Sequence, residues 1–430
     1  MTGRESRFDA GMVLFLHNRY RTSGGEERAV EDLLWLVREY LGEPAELYSR
    51  DSVGLARSRA AAGLLRGGLE PQEIAAAVRL SGARVVHAHN LLPALGWRAL
   101  AAARAGGARV VLHLHQYRLV CAIGVCFTHG AECTRCHGRD TLPGVRLNCR
   151  ESLPEALAYG ASLALWQRRL VEQADVVIVP SVFARERLRE LGAPLDWEKV
   201  HVLAPPVRSL AAAPGMRVPA GRDPAVDSDA AARAEVPAGP EVPAGAEAPA
   251  GGQASTPGLY ALVVSRLAPE KGVHVAIDAC RAAGMPLVVA GDGPDRDALM
   301  RQAGDGQVRF VGHVDDAELS QLRAGAALAV APSLSAETFG LAVAEAMAAG
   351  LPVVASRVGA LPELVDPDGL VAPGDADALA SAIARLAGDR AAGQRGRERA
   401  RAVCAPEAVA ARLEQVYGDV RHPVGVPGRP

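Results

Sequence analysis

Short apolar runs alternate with amphipathic stretches from Met12 to about Pro206. The helical segments between the runs include Glu26–Leu41 and Ser152–Gln173. The predicted strands of this part are Met12–His17, Ala45–Tyr48, Val85–His87, Val110–His113, Val176–Val179 and Val200–Leu203. Alternating strands and helices favour a parallel, doubly wound sheet.

A second series of the same kind begins at Tyr260. Its predicted strands are Tyr260–Val264, Leu287–Ala290, Val308–Val311, Ala327–Ala331 and Val353–Ala355, again with helices between them. The chain is therefore predicted to contain two α/β domains, residues 1–207 and 258–404, followed by a C-terminal helix and tail over 405–430.

The segment between the two domains, residues 208–257, has a different composition. It is rich in Ala, Pro, Gly and Glu, and it holds the near-repeats Glu-Val-Pro-Ala-Gly and Glu-Ala-Pro-Ala-Gly. Such a segment cannot bury enough apolar surface to fold, so we predict a disordered linker. A docking segment for a partner is the alternative.

Composition excludes some classes of protein. The net charge of −2 gives no electrostatic support for a nucleic-acid partner. No apolar stretch approaches the roughly 20 residues of a membrane span, and the polar N-terminus lacks the apolar segment of a signal peptide. We expect a cytoplasmic protein, and peripheral contact with a membrane stays open.

Residues 331–356 carry the most informative motif. A strand leads into a Ser/Glu loop, and Phe339-Gly340-Leu341 opens a helix, with Glu337 before it and Glu345 inside it. The free N–H groups near Gly340 and Leu341 form an anion site that the helix dipole strengthens. Each carboxylate can then bind hydroxyls on one side of a diphosphate, which fits a nucleotide sugar.

Cations and glycines follow other predicted strands. Arg266 and Lys271 lie on the loop after Tyr260–Val264, where an Arg fork and a Lys point charge suit a diphosphate. Gly24-Gly25 precedes the first helix and allows a ligand to approach the backbone. His115 follows Val110–His113, at the strand end where ligands bind in such sheets.

These motifs together resemble the retaining family 4 glycosyltransferases (glycosyl transferases group 1). The carriers are the two glutamates with Phe339-Gly340, the Arg and Lys-Gly of the second domain, the Gly-Gly-x-Glu loop, and His115. The resemblance implies the GT-B fold, in which two Rossmann-like domains face a cleft. It also implies that the last helix, Glu407–Tyr417, crosses back to the first domain.

The resemblance assigns roles to these residues. His115 would contact the donor sugar, Glu337 would hold sugar hydroxyls, and Glu345 the ribose. Arg266 and Lys271 would neutralise the leaving diphosphate without a catalytic metal. The other donor-binding residues would be Gly24, Gly25, Phe339, Gly340 and Leu341.

The implied activity is retaining transfer from a nucleotide-sugar donor to an acceptor that the sequence does not identify. A glycan, a lipid-linked sugar and a small molecule all stay open as acceptors. The alternatives are a nucleotide-sugar 2-epimerase or hydrolase of the same fold, and a catalytically silent scaffold that uses a cysteine-rich loop.

That loop contains five of the seven cysteines. Four of them, Cys121, Cys133, Cys136 and Cys149, have a spacing that suits one structural Zn²⁺. The alternative ligands are Cys126, His129 and His137, and free thiols are the alternative to a metal site. Disulfides are disfavoured in a reducing cytosol.

Overall fold

The computed structural model describes residues 11–20, 24–211, 258, 260–304 and 306–421. It places the chain in two α/β halves, as predicted. Most of the predicted linker lies outside the described residues. Within the described part, no helix combines the length and the hydropathy that a membrane span requires.

The first half is built on a six-stranded parallel sheet. The strands of this half, in chain order, are β1 (Val13–Arg19), β2 (Ala45–Asp51), β3 (Val85–Ala88), β4 (Arg109–His113), β5 (Phe127–Thr128), β6 (Ala131–Glu132), β7 (Val176–Val179) and β8 (Val200–Val202). Of these, β5 and β6 form a separate hairpin. Its helices are α1 (Gly25–Leu36), α2 (Arg57–Arg66), α3 (Pro71–Ser81), α4 (Gly96–Ala105), α5 (Leu142–Arg146), α6 (Leu153–Glu172) and α7 (Val182–Glu190). The sheet order is β2-β1-β3-β4-β7-β8. All six predicted strands are confirmed.

The second half repeats the plan. Its strands are β9 (Tyr260–Val264), β10 (Leu287–Ala290), β11 (Val308–Gly312), β12 (Ala326–Ala331), β13 (Val353–Ser356) and β14 (Leu370–Val371). Its helices are α8 (Val273–Ala282), α9 (Arg296–Ala303), α10 (Asp316–Gly325), α11 (Leu341–Ala348), α12 (Leu361–Leu364), α13 (Ala376–Leu386), α14 (Arg390–Cys404) and α15 (Pro406–Arg421). The parallel order β11-β10-β9-β12-β13-β14 is the Rossmann order. The five predicted strands are confirmed, and β14 is added.

Each sheet reverses its strand order at one point. In the first sheet this switch point lies between β1 and β3, and in the second it lies between β9 and β12. Ligands of open α/β sheets bind beyond the carboxyl ends of the strands at such a point. The loops that follow β9 and β12 carry the predicted cations and the first predicted glutamate.

The last helix, α15, leaves the second half and packs on the first. Val409, Leu413 and Tyr417 join Phe15 and Leu33 in one apolar core. The Tyr417 hydroxyl is 2.8 Å from Nδ1 of the buried His87. The expected return of the C-terminal helix to the first domain is therefore confirmed.

The two halves are also joined beside the cleft. The carboxylate of Glu363, from the second half, accepts hydrogen bonds from the N–H groups of Val182 (3.1 Å) and Phe183 (2.6 Å) at the start of α7. A carboxylate at a helix N-terminus satisfies free N–H donors and interacts well with the helix dipole. Glu363 therefore acts as a cap that one half supplies to a helix of the other.

We expect Leu413→Ala to destabilise the protein, because Leu413 is fully buried in the core that α15 shares with the first half. Truncation of a buried Leu typically costs about 2–5 kcal/mol. Urea unfolding followed by circular dichroism measures the loss. Gln415→Ala is the matched control, since Gln415 is exposed on the same helix. Equal stability of the two variants would contradict the docking of α15.

Candidate active site in the cleft between the halves

A cleft of about 1840 Å³ separates the carboxyl ends of the two sheets. Both halves line it. The predicted site residues on its wall are Gly24, Gly25, His115, Arg266, Lys271, Glu337, Phe339, Gly340, Leu341 and Glu345. The fold thus brings together predicted site residues from both halves of the chain.

Glu337 and Lys271 form an ion pair at the switch point of the second sheet. Lys271 Nζ lies 2.7 Å from Glu337 Oε1, and the Ser333 hydroxyl donates to the same oxygen at 2.6 Å. Burial opposes the charge of Glu337, but Lys271 and Ser333 outweigh it, so the pKa of Glu337 lies below its usual value. Glu337 is therefore ionised at neutral pH, and both bonds leave Oε2 to accept from a ligand hydroxyl.

Arg266 lies on the same wall but has a partner that the sequence analysis missed. Its guanidinium pairs with the carboxylate of the buried Glu270. The carbonyl of Glu270 also accepts from Leu334 N–H at 2.8 Å, which ties the loop after β9 to the loop after β12. The i,i+4 spacing of Arg266 and Glu270 was visible in the sequence, although the short helical turn that pairs them was not.

The start of α11 offers backbone donors next to Glu337. Gly340 has φ +102° and its carbonyl accepts from Ala344 N–H, so the N–H groups of Leu341, Ala342 and Val343 have no partner within the helix. A Cβ on Gly340 would lie 2.6 Å from a methyl group of Leu361. Glycine is required here by both backbone and space, and the helix start can receive an anion.

Glu345 is buried one turn further along α11, and its carboxylate forms ion pairs with two arginines. Arg323 of α10 bonds to Oε2 at 2.5 Å, and Arg28 of α1 lies 2.9 Å from Oε1. Arg28 also pairs with Asp316 and lies near Asp32. The sequence analysis missed Arg28 and Arg323, because no local spacing connects them to Glu345.

His115 faces this site from the first half. Its Nε2 is 2.8 Å from His89 Nδ1, and its ring stacks on His113 with centroids 4.2 Å apart. Burial lowers the pKa of His115, although Glu26 and Glu27 oppose that shift. His115 is therefore a neutral imidazole at neutral pH, able to donate or accept one hydrogen bond toward the cleft.

Three further histidines, His87, His89 and His113, are buried in the same cluster of rings as His115. Among the described residues they are the only three potential metal ligands whose donor atoms all lie within 4.8 Å of one another. Their rings stack with interplanar angles of 15–31°. His87 Nε2 lies 3.2 Å from His113 Nδ1, and His89 Nδ1 lies 2.8 Å from His115 Nε2. Neighbouring rings already use these nitrogens, so we interpret the group as packing rather than as a metal site.

Gly24 and Gly25 lie at the start of α1, where the carboxylate of Glu27 already accepts a hydrogen bond from the Gly24 N–H. Gly24 N–H donates to Glu27 Oε2 at 2.9 Å, and Tyr20 N–H donates to Glu27 Oε1 at 3.0 Å. Neither glycine has a positive φ, and a Cβ at Gly25 would meet no atom within 4 Å. Both line the cleft, and their contact with a donor stays a prediction.

The predicted zinc ligands lie beside this cleft. Cys121, Cys133, Cys136 and Cys149 surround one small buried cavity, together with Cys126. Cys149 also lines the cleft itself. All five cysteines are free of disulfides.

Comparison with known families identifies the chain. Residues 13–206 match the family described as Glycosyl transferase 4-like domain, and residues 258–389 match Glycosyl transferases group 1. The two matches fall on the two halves and together leave out only the ends and the linker. The chain belongs to the group 1 glycosyltransferases.

Several curated proteins share part of the sequence of this glycosyltransferase. Glycogen synthase of Mycobacterium tuberculosis is 43% identical over 152 residues, which is 33% of this chain and 36% of that protein. The MMP alpha-(1->4)-mannosyltransferase of Mycolicibacterium hassiacum is 46% identical over 112 residues, 24% of this chain and 27% of that protein. The chain thus matches only about a third or less of the length of these relatives.

Solved structures show the same fold over nearly the whole chain. Sucrose-phosphate synthase of Thermosynechococcus elongatus has a TM-score of 0.63 at 19% identity, covering 96% of this chain and 99% of its own. HepE of Anabaena, solved in complex with UDP and glucose, has a TM-score of 0.58 at 18% identity, covering 94% and 99%. The group 1 glycosyltransferase described here therefore has the GT-B fold, as predicted.

We expect Gly340→Ala to weaken binding of a nucleoside diphosphate by at least about tenfold, or about 1.4 kcal/mol. The added Cβ would collide with Leu361 and shift the start of α11. Calorimetric titration with UDP and GDP measures the effect.

Gly350→Ala is the matched control for this substitution. Gly350 has φ +80° at the other end of α11, and a Cβ there meets no atom within 4 Å. It carries the same kind of left-handed backbone strain, roughly 1–2 kcal/mol, without touching the helix start. Equal losses of affinity in both variants would rule out a ligand at that helix start.

Proposed function

We propose that this protein transfers a glycosyl group from a nucleoside diphosphate sugar to a hydroxyl acceptor, with retention of anomeric configuration and without a catalytic metal. The observation that carries the proposal is the Glu337–Lys271 pair beside the open start of α11, facing His115 across the cleft. A pyrophosphate, a sugar and a ribose each meet suitable groups along this one wall.

The donor class is supported by the related proteins. The curated relatives include glycogen synthase and several mannosyltransferases, and one of them is described as GDP-mannose-dependent. HepE was solved in complexes with UDP and with UDP-glucose. We therefore propose a nucleotide-linked hexose as the donor, with the nucleotide to be decided by binding.

The donor diphosphate would lie at the start of α11, where backbone N–H groups and Lys271 can share its charge. Arg266 would reach it by exchanging Glu270 for phosphate, since its side chain is 42% exposed. Preorganised donors and cations stabilise the charge that builds on the departing diphosphate. Glu337 would accept from sugar hydroxyls, and His115 would contact the sugar from the other half.

In the proposed reaction the bond between the anomeric carbon and the phosphate oxygen breaks. The acceptor oxygen attacks the same face, and its proton passes to the departing phosphate oxygen. Front-face attack preserves the anomeric configuration. Glu337, held by Lys271 and Ser333, would position the sugar and not form a covalent intermediate.

The proposal assigns no catalytic metal to the cleft. Aspartate pairs of the Asp-x-Asp type occur at Asp227/Asp229, which lies outside the described residues, and at Asp295/Asp297, Asp366/Asp368 and Asp375/Asp377. Within the described residues, none of these pairs lines the cleft. The charge of a diphosphate would instead meet Arg266, Lys271 and the helix start.

We expect Lys271→Ala to lower kcat/KM by roughly 10²–10³-fold, the usual cost of removing one preorganised charge-stabilising group. It should also weaken nucleoside diphosphate binding. The measurement is release of the nucleoside diphosphate from a panel of UDP- and GDP-hexoses. Lys199→Ala is the control, because Lys199, the only other lysine, is exposed, pairs with Asp196 and does not line the cleft.

Glu337→Gln separates positioning of the sugar from binding of the nucleotide. We expect kcat to fall by about 10²-fold or more while UDP or GDP affinity changes little, since Gln keeps the shape but loses the charge that faces Lys271. A large loss of nucleotide affinity with unchanged kcat would contradict the assigned role.

Retention can be tested on the product. Proton NMR taken before mutarotation should show the anomeric configuration of the donor preserved, and rates should not depend on added Mg²⁺ or Mn²⁺. An inverted product would overturn the proposed front-face attack. Strict dependence on added divalent ion would overturn the metal-free step.

A further inference from the structure

The loop between β4 and α6 is long and contains little regular structure. Its strands β5 and β6 have two residues each, and its helix α5 has five. Four of the five non-glycine residues with positive φ in the described chain lie in or at the end of this loop: Cys126, His129, Asn148 and Glu151. Such backbone persists only where the surroundings fix it strongly.

The five cysteines of the loop line one small cavity. The cavity they surround is about 10 Å³, and its wall includes Phe127, Gly144 and Leu191. Gly144 places its Cα against Cys136, since a Cβ there would lie 3.4 Å from the Cys136 sulfur. The Cys133 N–H donates to the Cys126 carbonyl at 2.7 Å, which holds the Cys133–Cys136 turn against the rest of the loop.

The two histidines of the loop do not share this cavity. His129 Nε2 is 3.0 Å from the Leu147 carbonyl. The His137 ring packs against Gly192, where a Cβ would lie 2.4 Å from it. These contacts argue against both histidines as metal ligands. The candidate ligands that remain at the cavity are the cysteine thiols.

We propose that Cys121, Cys133, Cys136 and Cys149 bind one structural Zn²⁺, with Cys126 outside the ligand set. Four thiolates of this spacing suit a closed tetrahedral site. Zn–S bonds of about 2.3 Å require sulfurs close together, whereas no three of the cysteine sulfurs of the described chain lie within 4.8 Å of one another. Zinc binding would bring these sulfurs closer together than they lie here, and it would cross-link the loop in addition to its hydrogen bonds.

The surroundings suit the charge of such a site. Four thiolates and Zn²⁺ carry a net charge of −2, and Arg118 and Arg187 lie within electrostatic range of Cys121 and Cys126. The bound ion would have no open position for substrate. Its effect would be to fix the wall of the cleft formed by Phe127, Thr128 and Cys149.

The test is the metal content of the full chain, measured by mass spectrometry of metals after purification without chelators. We expect one zinc per wild-type chain, and near-zero zinc in Cys133→Ser and in Cys136→Ser. Cys126→Ser and Cys404→Ser are the matched controls, because Cys126 shares the cavity and Cys404 is buried in the other half. Both controls should keep one zinc.

Two further measurements keep the outcome clear if a variant folds poorly. Titration of wild-type protein with a thiol-modifying mercurial should release one zinc as about four thiols react. Nucleotide binding reports on the second half, so Cys133→Ser should retain it even though the loop is loosened. This readout separates failure of the zinc site from failure of the proposed transferase function.

Absence of zinc from the wild-type chain, with free thiols or a Cys121–Cys126 disulfide in peptide mass spectra, would overturn the proposal. Loss of zinc from Cys126→Ser would overturn the assigned ligand set. Retention of a full equivalent of zinc in both Cys133→Ser and Cys136→Ser would do the same.

Discussion

Thr338 lies where the two sheets meet, and its hydrogen bonds fix their relation. Its hydroxyl donates to the His115 carbonyl at 2.8 Å, and its own carbonyl accepts from the Ser181 hydroxyl at 2.7 Å. Two residues before it, Ala336 is buried in the core of the first half. The loop after β12 therefore belongs structurally to both halves. Because Glu337 stands between these anchors, its distance from His115 is set by the backbone rather than by side-chain choice.

Neighbouring groups compensate the charges of the two glutamates of the site. Glu337 and Glu345 are both largely buried, and a buried carboxylate is costly unless it is paired and hydrogen-bonded. Lys271 and Ser333 compensate Glu337, while Arg28 and Arg323 compensate Glu345. Of the two cations proposed for the diphosphate, Lys271 is thus held in place by the carboxylate proposed for the sugar.

Much of this arrangement follows from the sequence. The strands are predictable because parallel sheets buried on both faces give continuous apolar runs, and the site residues because they directly follow those runs. The short elements are not. β5, β6 and β14 have two residues each, too few for any period to show.

The ion pairs between the two halves could not be predicted from the sequence either. Arg28 reaches Glu345 and Arg208 reaches Asp32 only after the two halves have docked. No local spacing carries that information, so the sequence assigns no role to Arg28, although it follows closely on the Gly24-Gly25 turn. Glu270, inside the motif with Arg266 and Lys271, was also overlooked, although an i,i+4 relation connects it to Arg266.

Arg28 links the two halves at the residues proposed for donor binding. It comes from the first half, yet it contacts Glu345 and Asp316 of the second. Arg28 already neutralises part of the charge of the buried Glu345. A ribose that bound to Glu345 would therefore not have to compensate the whole charge of this carboxylate. The same contact holds the start of α1 against the second half. The Gly24-Gly25 turn is thereby kept at the cleft, where a donor or an acceptor can reach it.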